Sequence, residues 1–357
     1  MSAIAPMTPR QRAIEAMYRR PTDRVPCVPF IDNSYAAPRA GVPVSQCFLD
    51  PTIYAQGLVA SLERHPDIDG VSINLCLTDE IILEVRKTKD EYLVKTTGGL
   101  TWMIPFNDVG SVLETEITSF DDPRLDEDDP FKPGIIQTLR AIPEYLRKRY
   151  LFSCGLTGPF SQVAFMLGLT RVMEATIEDP EGLHRAIKKR LPFALLWVEE
   201  MALYDPGCIW IGEGFASSSL IGAHTYKEFV LPYEQMVADK IREVGVPSVL
   251  HICGKIYPIL DLIPDSRADC LEADWPVALV DARQRIANRI SIKGNLNTTD
   301  LVRGKETEAY DLSRQAIEAM KGKPGFILSS GCALGRDTPP EHVDAMARAA
   351  RDFGQYA

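Results

Sequence analysis

Eight short apolar runs alternate with helical patterns along most of the chain. This alternation is typical of βα units packed around a parallel sheet. Eight is also the number of strands that closes a (β/α)8 TIM barrel, so we predict this α/β fold. The runs lie at residues 27–31, 70–75, 151–156, 208–212, 247–253, 269–273, 289–294 and 325–331. Since no internal repeat or linker divides the chain, we expect one domain over residues 1–357.

Other segments are predicted to decorate the barrel. An N-terminal helix is expected to begin after Thr8, a suitable N-cap, with Pro9 at the first helical position. Residues 81–105 alternate in polarity and predict an antiparallel β meander inserted at the barrel top, with turns at 87–90 and 98–99. The acidic residues 121–130 are interpreted as a solvated connection. Further helices are predicted at 135–149, 180–204, 226–244, 308–321 and 340–355.

Composition restricts the classes of partner. The formal net charge of −10 argues against nucleic acid, whose binding needs a concentrated basic surface. No run of about 18 apolar residues is present, so a membrane span is not expected. The eight cysteines follow no recognisable secretory signal, which favours free thiols in a reducing cytoplasm. Most of them are expected to be buried as small hydrophobic residues.

Ligand-type residues follow the predicted strands at one end of the barrel, where active sites of this fold lie. His251 and Cys253 are two positions apart, so both point to the same side of a strand end. Cys332 lies 79 positions beyond Cys253, at the end of the last predicted strand. One histidine and two cysteines leave a fourth tetrahedral position open, which is typical of catalytic rather than structural zinc. We therefore predict a three-ligand Zn²⁺ site at the barrel mouth.

Other readings of these residues stay open. His251 could be a hydrogen-bonded core histidine beside two packing cysteines, or a base that activates Cys253 or Cys332 as a nucleophile. Glu213, between two glycines at a strand end, is the predicted catalytic carboxylate, as a removable fourth ligand or proton relay. It could equally be a solvated loop residue or a neighbour of a helix N-cap. Asp274 and Asn295 are predicted to form hydrogen bonds with the substrate.

These residues bring out a resemblance to the uroporphyrinogen decarboxylase superfamily, and more closely to its corrinoid-dependent branch, which includes the methylcobamide:coenzyme M methyltransferases. The resemblance implies a (β/α)8 barrel in which the His-x-Cys pair and the distant cysteine bind zinc. The segments that carry it occur in order along the chain: Thr22-Asp23-Arg24-Val25-Pro26, Gly158-Pro159-Phe160, His251-Ile252-Cys253-Gly254, Lys293-Gly294-Asn295-Leu296, Leu328-Ser329-Ser330-Gly331-Cys332 and Thr338-Pro339.

One departure from the decarboxylases bears on function. Those enzymes carry an Arg-Gln-Ala-Gly-Arg-Tyr stretch after the first strand, whose arginines hold substrate carboxylates. Here residues 31–39 contain one arginine, Arg39. We therefore expect a methyltransferase that moves a methyl group between a corrinoid (cobalamin) on a partner protein and a small molecule. That molecule is a thiol cofactor, tetrahydrofolate or a methylated metabolite. Decarboxylation and a non-catalytic, zinc-stabilised binding protein are the alternatives, and a homodimer is left open.

Overall fold

A curved parallel sheet forms the centre of the protein, whose computed structural model describes residues 5–127, 134–321 and 324–356. Its seven strands lie in the order β1, β6, β7, β8, β9, β10 and β11, and every neighbouring pair is parallel. Their bounds are β1 Gly70–Ile73, β6 Leu151–Thr157, β7 Cys208–Gly212, β8 Ser248–Ile252, β9 Cys270–Ala273, β10 Ser291–Leu296 and β11 Phe326–Ser330. These strands coincide with seven of the eight predicted runs.

The eighth predicted run, residues 27–31, joins the two edges of this sheet. The Val28 N–H donates to the Leu328 carbonyl of β11 at 2.9 Å, and the Cys27 carbonyl accepts from the Asp69 N–H at 2.7 Å. Within residues 27–31, the pairing of Cys27 with Leu328 is the one regular β-bridge, and it is parallel. The segment nevertheless closes the barrel, so the predicted (β/α)8 architecture is confirmed.

Helix α1, Pro9–Met17, covers the N-terminal end of the barrel. Thr8 is its N-cap, since the Thr8 side chain accepts from the Gln11 N–H, and Pro9 is its first residue, as predicted. Its apolar face packs into the barrel interior against residues near the start of five strands, β6 to β9 and β11, and against Val28 of the closing segment. This interior cluster consists of Ala13, Ala16, Met17, Val28, Leu151, Cys208, Val249, Cys270 and Ile327. The half of the barrel at the N-terminal ends of the strands, called the lower end below, is thus a filled core.

The predicted meander is present and longer than expected. Four antiparallel strands form it: β2 Ile82–Lys87, β3 Glu91–Thr96, β4 Leu100–Pro105 and β5 Ser111–Thr115. The additional strand, β5, lies at an edge and has mainly exposed residues, so it lacks the alternating pattern of a half-buried strand. The sheet packs on the barrel through Trp102, which is buried beside Phe48 and Phe165.

Helices cover the outside of the barrel, and two predicted helices are each divided beside a proline. Residues 135–149 form two helices separated at Pro143, and residues 226–244 form two helices that meet at Val230, just before Pro232. Part of the predicted connection at 121–130 is helical, and residues 128–130 lie outside the described residues. The helices after α1 are α2 Asn33–Arg39, α3 Val44–Leu49, α4 Pro51–Arg64, α5 Arg124–Glu127, α6 Gly134–Ala141, α7 Glu144–Arg149, α8 Pro159–Leu167, α9 Leu169–Glu178, α10 Pro180–Ala202, α11 Ala223–Phe229, α12 Leu231–Glu243, α13 Leu279–Arg285, α14 Thr298–Arg303, α15 Glu306–Met320 and α16 Pro340–Phe353.

The cysteines and the helices agree with the expectations from composition. All eight cysteines are free, and all except Cys253 and Cys332 are buried. Across the described ranges, no helix combines the length and the apolar character needed to cross a bilayer.

Candidate functional site

Three ligand-type side chains meet at the mouth of the barrel. His251 is the second-last residue of β8, Cys253 directly follows that strand, and Cys332 lies two residues after β11. Their donor atoms all lie within 4.8 Å of one another. The His251 Nε2 atom is 3.1 Å from Cys253 Sγ and 4.0 Å from Cys332 Sγ. A tetrahedral zinc with ordinary bond lengths separates such atoms by about 3.6 to 3.8 Å, so the set fits this ion.

The orientation of His251 leaves Nε2 facing the two cysteines. Its Nδ1 atom lies 3.1 Å from the backbone carbonyl of Glu272, which can only accept a hydrogen bond. Nδ1 therefore carries a hydrogen, and Nε2 is the atom that could bind a metal. The ring is 2% exposed; Trp210 stacks on it at 5.5 Å and the edge of Phe30 meets it at 6.0 Å.

The pKa values of the three side chains depend on one another. Burial lowers the pKa of His251, but its hydrogen bond to Cys332 and the charge of Glu272 outweigh burial and raise that pKa to about 9. A hydrogen bond from Cys332 lowers the pKa of Cys253, whereas the same contact and burial raise the pKa of Cys332. Binding of a divalent cation would release protons from this cluster, because metal ligands must be unprotonated.

A buried charged network lies directly beneath His251. Glu272 is fully buried; one of its oxygens forms an ion pair with the buried Lys293. The other oxygen, Oε2, accepts from Trp210 Nε1 at 2.5 Å and lies 3.7 Å from His251 Nδ1. The sequence assigns none of these three residues a role in the site. A lysine in the middle of a predicted barrel strand is the signal that could have indicated a buried ion pair.

Asp274 and Asn295 lie at the mouth, and their polar atoms contact backbone. The Asp274 carboxylate accepts from the Gly254 N–H at 2.6 Å through Oδ2, and from the Trp275 N–H at 2.7 Å through Oδ1. The Asn295 amide donates to the carbonyls of Asp274 and Val277 at 3.1 and 2.5 Å. Their predicted contact with substrate stays a prediction.

Glu213 is buried beside the N-terminus of α8. Its carboxylate accepts from the N–H groups of Phe160 at 3.3 Å and Ser161 at 2.9 Å, while its own N–H donates to the His251 carbonyl at 2.9 Å. A side chain at Gly158 would place Cβ 2.1 Å from Glu213 Oε1, which explains the glycine before Pro159. Burial raises the pKa of Glu213 to about 7 despite these hydrogen bonds. Glu213 is thus not a solvated loop residue.

Arg39 does not extend toward a substrate position. Its guanidinium donates to the carbonyls of Tyr35, Arg336 and Thr338 at 3.1 to 3.3 Å and lies 3.5 Å above the Tyr35 ring. The one arginine of residues 31–39 therefore links α2 to the loop that follows β11. The segment at residues 22–26, which carries part of the family resemblance, also has a structural contact. Its Arg24 forms an ion pair with Asp69 at the opposite end of the barrel.

Comparisons with known proteins agree with this architecture. The family model described as uroporphyrinogen decarboxylase (URO-D) matches residues 94–353. A methylated-thiol–coenzyme M methyltransferase from Methanosarcina mazei is 34% identical over 219 residues, 60% of this chain. The chain spans 57% of the length of that relative. A uroporphyrinogen decarboxylase from Anaeromyxobacter sp. is 25% identical over 358 residues, 96% of this chain and 98% of the relative.

A solved structure has the same fold along nearly the whole chain. It is described as a methyltransferase from Methanosarcina mazei and superposes with a TM-score of 0.80 at 20% sequence identity. The superposition covers 97% of this chain and 99% of the other. At this identity the likeness establishes the barrel architecture.

Proposed function

Because the chain belongs to the uroporphyrinogen decarboxylase family, we propose that it is a zinc-dependent methyltransferase whose ion is held by His251, Cys253 and Cys332. It transfers a methyl group between a corrinoid carried on a partner protein and a small molecule, which we take to be a thiol or a methylated thiol. The observation that carries the proposal is the convergence of one imidazole and two thiols within 4.8 Å at the barrel mouth. The methyltransferase relative supports the reaction class.

The donor set suits activation of a thiol. Two cysteine thiolates would neutralise the charge of a bound Zn²⁺, and the ion would supply deprotonation of a third, substrate thiol at neutral pH, which would stay electron-rich and nucleophilic. Cys253 and Cys332 would hold the ion through their sulfur atoms. The Glu272 carbonyl, by accepting from Nδ1, keeps the lone pair of His251 Nε2 pointed at the same ion position. When the thiol is the acceptor, its sulfur forms a bond to the methyl carbon while the carbon–cobalt bond breaks, and that electron pair remains on cobalt.

Within this proposal, Glu213 is the catalytic carboxylate. Its N–H group is bonded to the carbonyl of a ligand residue, and its side chain is buried without a cation among its described contacts. We assign it the thiol proton or the fourth ligand position before the substrate binds. Asp274 and Asn295 stay proposed substrate contacts.

Decarboxylation is the competing function, since a decarboxylase matches nearly the full chain. Carboxylate-rich substrates need guanidinium groups that point into the site. Arg39 instead donates to three backbone carbonyls. We therefore expect no release of CO2 from uroporphyrinogen under conditions that support methyl transfer.

The test is an assay of methyl transfer from methylcobalamin to small thiols, before and after removal of metal. The purified protein is expected to demethylate methylcobalamin with a thiol present, to lose this activity after treatment with a chelator, and to regain it with Zn²⁺. Activity that persists in the metal-free protein, or turnover of uroporphyrinogen instead, would contradict the proposal. A zinc-stabilised binding protein would bind the ion yet show neither reaction, and its Cys332→Ala variant would unfold.

A further inference from the structure

Two acidic residues, Glu272 in β9 and Asp274 immediately after it, lie beside the end of β8, where two of the three donor side chains are found. Glu272 and Asp274 are two positions apart and therefore face the same side of the sheet. In the parallel pairing of these strands, His251 is the partner of Glu272. We propose that Glu272 and Asp274 are positioning residues for the metal site: the first fixes the ring of His251, and the second fixes the turn after Cys253. This proposal rests on the proposed zinc site.

Glu272 acts on His251 from two directions. Its backbone carbonyl accepts from Nδ1 and sets which ring nitrogen faces the cysteines. Its side chain accepts from the Trp210 indole N–H, and that indole stacks on the imidazole. Lys293 holds the other carboxylate oxygen of Glu272. Both oxygens accept, so an amide in place of this carboxylate would leave one of the two donors facing an N–H group.

Asp274 acts on the turn that follows Cys253. Gly254 has a φ of +75°, a left-handed conformation suited to glycine, and its N–H points at Asp274 Oδ2 at 2.6 Å. The same carboxylate lies against the loop that carries Cys332, because a Cβ on Gly331 would stand 3.0 Å from Asp274 Oδ1. One side chain thus forms a hydrogen bond with one cysteine-bearing loop and lies next to the other. Its loss would leave the two sulfur atoms free to move apart.

The same pair of strands supplies a matched control at its other end. Asp269, just before β9, accepts from the Ser248 N–H at 2.9 Å and from the Ser248 hydroxyl at 3.0 Å. Asp269→Asn and Asp274→Asn therefore make the same substitution at carboxylates that accept backbone N–H groups from the β8 segment. Only the second is next to the cysteines. A general weakening of the β8–β9 pair would affect both variants, whereas a positioning role affects one.

The experiment measures metal affinity and ligand geometry in the full chain. Zn²⁺ affinity is obtained by competition with a chromophoric chelator, and the absorption spectrum of the Co²⁺-substituted protein reports the geometry around the ion. We expect Asp274→Asn to bind Zn²⁺ about 10- to 100-fold more weakly than the wild type and to change the Co²⁺ spectrum. Asp269→Asn should match the wild type in both measurements.

A second pair of variants tests the other half of the proposal and does not depend on whether Asp274→Asn folds. Glu272→Gln should weaken Zn²⁺ binding to a similar degree, because the indole loses its fixed acceptor and Lys293 is left buried without its carboxylate. Adding Lys293→Met should restore the thermal stability but leave the altered Co²⁺ spectrum. Wild-type affinity and spectrum in both Asp274→Asn and the double variant would overturn the positioning role. A wild type that binds no Zn²⁺ would overturn the proposed function itself, so the two failures are distinguishable.

Discussion

The two ends of the barrel treat buried carboxylates differently. At the N-terminal end, Asp69 is fully buried and forms ion pairs with Arg12 and Arg24, beneath a helix that fills the interior with apolar side chains. At the mouth, Glu272 is likewise paired with a cation, Lys293, but the buried carboxylates of Asp32 and Glu213 accept hydrogen bonds from amide groups instead. Neutral donors compensate a buried charge less well than a paired cation does. We infer that the paired charges of the lower end stabilise the fold, whereas the mouth keeps less stable carboxylates, unpaired among the described residues, that are available for the proposed reaction.

The largest expected effect is at the lower end. Arg12→Ala removes contacts with Asp69 and Asp23 and leaves part of a buried charge uncompensated. Breaking a buried pair from one side costs about 3–5 kcal/mol. Denaturant unfolding should show this loss, while Zn²⁺ affinity stays unchanged. Arg20→Ala, which removes an exposed pair with Glu15, is the control and should cost less than about 1 kcal/mol. Loss of metal binding in Arg12→Ala would break the separation of the two ends.

A pH-dependent term is expected at the mouth. Burial raises the pKa of Asp32 to about 6, so the folded chain holds this proton more tightly than the unfolded chain. The contribution of Asp32 to stability is therefore present at low pH and is lost as pH rises from about 4 to 6, by about 2–3 kcal/mol. Asp32→Asn keeps an oxygen that can cap the Ser34 N–H. As pH rises from about 4 to 6, the variant should become more stable relative to the wild type, because only the wild type loses this contribution. A difference in unfolding free energy that stays constant over this range would contradict the effect.

Glu213→Gln tests whether a buried carboxylate at the mouth takes part in the proposed reaction. The amide cannot take a proton and can accept from only one of the two N–H groups at the start of α8. Methyl transfer should fall about 100-fold, a typical effect for loss of a proton-transferring group. Zn²⁺ content should be retained because three ligands remain. A rate equal to that of the wild type would remove Glu213 from the proposed chemistry.

The smallest expected effect concerns the helix that covers the lower end. Thr8→Ala removes the hydrogen bond to the Gln11 N–H and should cost about 1 kcal/mol, whereas Thr8→Ser keeps an acceptor and should cost less. Thermal unfolding of the two variants measures the difference. Neither variant should change methyl transfer, and a change would connect this helix to the mouth.

Regular patterns made much of the fold predictable from sequence. The eight apolar runs coincide with the strands and the closing segment because buried parallel strands are continuously apolar. Thr8 and Pro9 marked the first helix through local chemistry. β5 was missed since an exposed edge strand needs no apolar alternation, and the helix breaks near Pro143 and Pro232 were missed because periodicity continues across them.

The site was predictable only where its residues are adjacent in sequence or lie at strand ends. His251 and Cys253 share one strand end, so their proximity follows from local geometry, and the family resemblance linked Cys332 to them. The contacts of Glu272 with Trp210 and Lys293 depend on the register of β7, β9 and β10. Sequence periodicity carries no information on register between strands that are far apart in the chain. Positions of this kind need a structure.

The most direct measurement is the zinc content of three purified proteins: the wild type, Cys332→Ala and Cys208→Ala. The two substitutions are identical in chemistry, but Cys332 is at the mouth and Cys208 is buried in the lower core. We predict about one zinc per chain in the wild type and in Cys208→Ala, and loss of zinc with an intact fold in Cys332→Ala. A metal-free wild type, or full zinc content in Cys332→Ala, would contradict the proposed site.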